Sequence, residues 1–271
     1  MDRHRLRCTP NVRIDALVDA AASLVTFMGV RYAAQPSDRE HRWGHGKGEA
    51  IAALMQAFFL AGAGVALAFQ SVRRLVHPEP LEELAFGLWL VVGSTLAAAG
   101  LVLMQSWVVR KTGSTAIAAD RAHYMTDVAV NLAVLAALGV TTLTGWQRAD
   151  PLFALGISGY MLWNGRGIAL TALRQLLDRE LEPEQGRRIT QAVLTCPGIR
   201  AMHDLRTRDA GDRVFVEFHL EVDGDLPVRR AHAIADSAER AVRALFPAGA
   251  EVTAHLEPAG VNVDRLDDRV L

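Results

Sequence analysis

Five long apolar runs constrain this chain more than any other feature of its sequence. A helix crossing a bilayer needs roughly 20 mostly apolar residues. Runs of that order lie at 14–32, 50–69, 84–109, 116–143 and 151–173. Gly and Ala recur within them, as in AGAGVALA and STLAAAG, and such small residues let helices pack closely in lipid. Trp107 and Trp146 fall near the expected ends, where amphipathic rings anchor at the interface. The region from 13 to 177 therefore reads as an all-α membrane bundle of five spans. Residues 1–12 precede it as an atypical tail.

The remainder is different in kind. Of the 271 residues 51% are apolar, yet the mean hydropathy is only +0.15, because a very apolar part is averaged with a polar one. Within 178–260 the segment EPEQGRRITQAVLTCPG reads as an amphipathic helix stopped by Pro-Gly. Two strands about a Gly turn follow, and VFVEFHLEV alternates well. A second helix, PVRRAHAIADSAERAVRALFP, and a closing strand, AEVTAHLEP, complete a small two-layer α+β domain of order αββαβ. Residues 261–271 form a C-terminal tail.

Composition excludes several classes. A net charge of −1 gives no basic footprint for nucleic acid. Cys8 and Cys196 stand too far apart for a disulfide framework or a thiolate zinc motif. The start, MDRHRLRCTPNVRIDALVD, lacks the apolar core of a signal peptide. Basic residues gather in the loops after the first and third runs, which puts those loops and the C-terminal domain in the cytoplasm. Five spans then leave the N-terminus outside, although its tail carries Arg3, Arg5, Arg7 and Arg13.

Ionisable residues inside the apolar runs call for an explanation. His123 and Asp127 stand four apart in the fourth run, and Asp15 and Asp19 four apart in the first. Spacing i,i+4 puts each pair on one helix face. Such groups are costly at membrane depth and face a cavity, a partner or an ion. Three carboxylates and one imidazole suit a divalent first-row metal, and four ligands match the tetrahedron zinc prefers. The loop QPSDREHRWGHGKGEA offers Asp38, His41 and His45, either as ligands or as a solvated polar segment. In the C-terminal domain His203, His219, His232, His255 and Glu257 lie on or beside the expected strands and a helix start.

Taken together, D-x3-D in DALVD, the histidine loop, H-x3-D in HYMTD, WQRADPLFALGISGY, LLDRELEP and HDLRTRDAG resemble the cation diffusion facilitator family. The similarity is greatest to its bacterial zinc/ferrous-iron efflux branch. The resemblance implies an intramembrane transport site at Asp15, Asp19, His123 and Asp127, and a loop site at Asp38, His41 and His45. It further implies a ferredoxin-like or metallochaperone-like cytoplasmic domain. By the same resemblance His203, His219, His232, His255 and Glu257 would there form a two-metal site that helps hold a homodimer. Where the family usually shows His-Gln-Asp, this chain has His255, Leu256 and Glu257. A charge lock between Lys47 and Asp178 is implied as well. Family members have six spans with both termini in the cytoplasm. This chain lacks the first, and its reversed tail charge is the sign expected if a span is missing, either from an N-terminally truncated product or in a genuine five-span form.

The expected activity is efflux of a divalent cation across the inner membrane by proton antiport with alternating access. Zinc comes first, with cadmium and iron(II) as alternatives, and zinc also serves as a structural ion. Metal and protons compete for the same deprotonated ligands. A membrane-anchored zinc-binding or sensing protein without transport is the rival reading. An enzyme would need an open coordination position with a nucleophile and base, and no such set is visible, so the chain is not expected to be one.

Overall fold

The structure is a computed structural model describing residues 10–77, 84–144, 146, 148–247 and 249–261; the side chains of residues 10–19, 84–90, 134, 138, 141 and 142 lie outside the described set. Arg3, Arg5 and Arg7, and the C-terminal tail beyond 261, lie outside it as well. The chain forms two compact units, Met1–Leu173 and Arg174–Leu271.

Five long helices build the first unit: α1 (Pro10–Ala33), α2 (Gly48–Val76), α3 (Leu84–Thr112), α4 (Thr115–Thr144) and α5 (Ala149–Leu176), the last ending just beyond it. Each coincides with one of the apolar runs. Among the described residues, α2 and the Val91–Thr112 part of α3 are long and apolar enough to cross a membrane by length and composition. The helix α1 starts at Pro10, so Asp15 lies more than a turn inside it, deeper than the apolar run alone implies.

This unit is inverted relative to a water-soluble bundle. Phe58, Phe69, Leu103 and Trp163 are each more than half exposed, whereas Gln56, Asp120, His123 and Thr126 are buried. Exposed apolar surface of this extent marks an apolar surrounding, here lipid. Inside, small residues set the spacing. A Cβ on Gly29 of α1 would meet the Ala52 Cβ of α2 at 2.3 Å, so only glycine permits this approach. The two-residue link between α3 and α4 turns at Gly113, whose φ is +70°, a conformation open to glycine at little cost. Ser114 Oγ then accepts the Ile117 N–H at 3.3 Å, satisfying one orphan donor of α4. Against α1, α2 and α3 packs α4, which is thus the central helix of the described bundle.

The second unit continues with α6 (Pro183–Leu194), β1 (Ile199–Asp209), β2 (Val214–Val222), α7 (Val228–Arg243) and β3 (Ala250–Pro258). Strand order is β1-β2-β3; β1 and β2 are antiparallel, while β2 and β3 are parallel through the α7 crossover. Period-2 alternation sorts the faces. Val216, Phe218, Leu220 and Val222 of β2 join Val252 of β3 in a core with Ile189 and Val193 of α6 and Ala235, Ala238 and Val242 of α7. Residues of opposite parity, including His219, Glu221, His255 and Glu257, fall on the sheet face away from the helices. Three strands and two helices thus give the small α+β domain in the order expected.

Candidate metal centres

On α4, His123 is buried and its Nε2 lies 3.9 Å from Asp127 Oδ2, with Asp127 partly exposed. Two ligands held about 2.0–2.1 Å from a tetrahedral ion stand roughly 3.3 Å apart, so this pair is wider than a ligand edge and would have to draw together around an ion. Asp15 and Asp19 lie on α1, their side chains outside the described residues. The approach of α1 to α4 is fixed nearby. Ser23 Oγ and Tyr124 Oη are 3.0 Å apart, and Gln56 Nε2 joins Thr26 Oγ1 at 2.7 Å to Asp120 Oδ1 at 2.9 Å. As numbers rise on α4 they fall on α1, so the two helices run antiparallel.

The loop between α1 and α2 assembles the three residues that the sequence placed there. His41 Nδ1 lies 3.6 Å from Asp38 Oδ1, and His45 Nε2 lies 3.5 Å from Asp38 Oδ2. The two imidazole centroids are 4.6 Å apart, and Tyr32 stands edge-on to His45 at 4.7 Å. A local turn sets the carboxylate: Asp38 Oδ1 accepts the His41 N–H at 2.6 Å and the Glu40 N–H at 2.9 Å. The His41 amide is the main cause holding the Asp38 carboxyl below its ordinary value, opposed by burial and aided by the Glu40 amide and the two imidazoles. His45 is buried while Asp38 and His41 are exposed, so the loop can take an ion from solvent.

A third cluster lies on the open face of the sheet. His203, His219 and His255 stand in register across β1, β2 and β3, with centroids 5.2 and 4.8 Å apart. Glu257 Oε1 is 2.8 Å from His219 Nδ1 and 3.8 Å from His255 Nε2, and its Oε2 is 3.1 Å from His203 Nε2. Among the described residues His203 Nδ1, His203 Nε2 and Glu257 Oε2 are buried without a hydrogen-bond partner. The 3.1 Å approach is therefore short but poorly aligned for a hydrogen bond. Buried orphan atoms are costly, and converging imidazole and carboxylate atoms that miss one another fit a metal between them.

Two residues join this cluster that the sequence did not single out. Asp204 is buried, with Oδ2 3.8 Å from His203 Nδ1 and 4.0 Å from His219 Nδ1. A register shift between His203 and Arg206 and a φ of +50° at Asp204 place it there; Asp tolerates that left-handed conformation better than most residues. Glu221 Oε1 lies 3.6 Å from His203 Nε2. His232 is not brought to the cluster. It is exposed on α7 and pairs with Asp236 at 3.3 Å. Leu256 packs against the core on the helix side of the sheet, so its side chain has no part in the cluster. Asp178 lies 3.6 Å from Arg208 within its own unit.

A bundle of long helices and a small sheet domain, each carrying imidazole and carboxylate clusters, define a class of metal-handling membrane proteins. Residues 14–177 match the cation efflux transmembrane domain and residues 181–259 the cytoplasmic domain of cation efflux proteins. The chain belongs to the cation diffusion facilitator family. It is 45% identical over 248 residues to the cation-efflux pump FieF of Klebsiella pneumoniae subsp. pneumoniae, covering 92% of this chain and 82% of that protein. FieF of Salmonella newport is 43% identical over the same shares. A solved structure of CzrB in its zinc form is 44% identical, covering 32% of this chain and 98% of that one, with a TM-score of 0.29. The relatives are cation-efflux transporters and not enzymes.

Proposed function

We propose that this chain exports divalent metal cations, zinc foremost, across the cytoplasmic membrane by proton antiport. The observation that carries the reading is the antiparallel registry of α1 and α4. Thr26 is linked to Asp120 through Gln56, and Ser23 meets Tyr124. Continued along the helices, that registry supports a site centred where the α1 position of Asp19 stands level with Asp127, with His123 about one turn to one side and the position of Asp15 about one turn to the other. Three carboxylates and an imidazole favour zinc, with cadmium and iron(II) as the other candidates, since ligand type alone does not select among such ions. Metal binding requires deprotonated ligands, and an unperturbed histidine titrates near physiological pH. Release of the ion to the outside then leaves His123 and the carboxylates to take up protons, and alternating exposure couples the two flows.

In this reading Asp38, His41 and His45 load or sense the ion at the membrane surface. His203, His219, His255 and Glu257 hold structural zinc in the cytoplasmic domain. His232 does not reach its own cluster, which supports its donation to a second copy and hence a homodimer. The test is zinc-dependent proton flux in proteoliposomes. Flux in the wild type and none in Asp127→Ala is the expected result. Absence of flux alongside intact zinc binding by the cytoplasmic cluster would favour the anchored binder instead.

A further inference from the structure

The bundle interior holds a polar network that lies outside all three metal clusters. Gln56 of α2 reaches the Ala22 carbonyl at 3.0 Å and Thr26 Oγ1 at 2.7 Å, both on α1, and Asp120 Oδ1 of α4 at 2.9 Å. Gln105 of α3 donates to Asp120 Oδ2 at 2.6 Å. Thr26, Gln56, Gln105 and Asp120 are each no more than 7% exposed. One carboxylate and two amides thus tie four helices at a single level. Polar groups buried inside a membrane bundle are costly, and their best-attested structural use is to fix one register among several.

The position of the network says which register. Residues 15, 19, 22 and 26 share one stripe of α1, and residues 120, 123 and 127 share one stripe of α4. The network therefore lies on the same two stripes as the proposed ligand pairs, about one turn removed. Small apolar surfaces such as Gly29 on Ala52 hold helices close, but hydrogen bonds are directional and resist sliding. Sliding α4 by one residue would move its ligands about 1.5 Å along the axis, whereas a metal site tolerates only about 0.2 Å.

We infer that Asp120, held by Gln56 and Gln105, is a positioning residue that fixes the axial offset of α4 against α1 and thereby the spacing of the two ligand pairs. The inference rests on the transport reading above, and it makes Asp120 a determinant of metal affinity without touching the ion. An exchange of partners is built into the geometry. With Asp120→Asn and Gln105→Glu together, the new amide on α4 can donate to the new carboxylate on α3, while its oxygen still accepts from Gln56, which keeps its bonds to α1.

Zinc-dependent proton flux in proteoliposomes, measured on the full chain against zinc and against pH, tests this. Asp120→Ala should raise the zinc KM about tenfold, the worth of a hydrogen bond to a charged group, with the pH midpoint unchanged. The double exchange should recover most of that loss, and it remains informative where Asp120→Ala fails to fold. A wild-type KM in folded Asp120→Ala would overturn the inference, as would a shifted pH midpoint at constant KM, which would make Asp120 a proton carrier. A second readout does not depend on transport. Ser23→Cys and Tyr124→Cys, in a background with Cys8 and Cys196 replaced by serine, should join through a short thiol cross-linker. That yield should fall on adding Asp120→Ala; an unchanged yield would overturn the inference even if wild-type flux were absent, the result that separately sinks the transport reading.

Discussion

Glu257 Oε2 on β3 stands 3.1 Å from His203 Nε2 on β1, so one carboxylate reaches over the intervening strand while its other oxygen holds His219 at 2.8 Å. Neighbouring strands lie about 4.8 Å apart, and the extra methylene of Glu relative to Asp helps cover that span. Glu257→Asp is expected to keep the His219 contact and lose His203, weakening zinc binding at this cluster about tenfold. Titration calorimetry of the detergent-solubilised chain checks this. Affinity equal to wild type would mean that Glu257 is not a ligand.

Leu256 gives the complementary prediction. It sits between His255 and Glu257 on a strand of period 2, so it faces the helices and packs on the core. Leu256→Gln, which restores the residue usual in the family, buries an amide with no partner at a cost of about 1–3 kcal/mol. Thermal unfolding should show the loss, while zinc affinity of the cluster stays as in the wild type. A gain in affinity would place the side chain on the other face.

The loop site carries a defined pH dependence. The His41 amide holds the Asp38 carboxyl below its ordinary value of 3.8, so the folded turn favours the ionised form. Its contribution is fully present above that ordinary value and disappears as pH falls through the lowered one. Protection of the Glu40 and His41 amides, taken relative to a free amide at the same pH, should therefore hold at neutral pH and be lost in that acid window. In Asp38→Ala both amides should lack this protection at every pH. Protection that persists in that variant would assign the turn to other contacts.

At Gly29 the prediction concerns packing alone. An added Cβ would lie 2.3 Å from the Ala52 Cβ, so Gly29→Ala must part α1 from α2. Overpacking of this kind costs about 1–3 kcal/mol. The melting temperature in detergent should drop, and Gly29→Ala combined with Ala52→Gly should recover much of it. A melting temperature equal to wild type in the single variant would show that the helices are looser than the structure has them.

Much of the architecture could be read because it follows from periodicity. The apolar runs announce the long helices, and the alternation of VFVEFHLEV puts Val216, Phe218 and Leu220 on the core face and His219 on the other. Local constellations were legible for the same reason: Asp38, His41 and His45 are near in sequence and meet in space. Asp204 was not legible, since its place depends on a bulge and a left-handed backbone that nothing in HDLRTRD announces. The Gln56–Asp120–Gln105 network was hidden because its members sit on three helices and no spacing rule links them. His232 shows the opposite limit: the residue type fits a ligand, yet α7 holds it away from the cluster of its own chain.

In the proposed transport cycle α1 and α4 furnish one metal site. A double-mutant cycle tests it most directly, with zinc-dependent flux measured for Asp19→Ala, Asp127→Ala and the pair together. Residues that share one ion are strongly coupled, so the double variant should lose scarcely more kcat/KM than either single one. Losses that simply add would mean that Asp19 and Asp127 act at separate places, and the single intramembrane site would have to be abandoned.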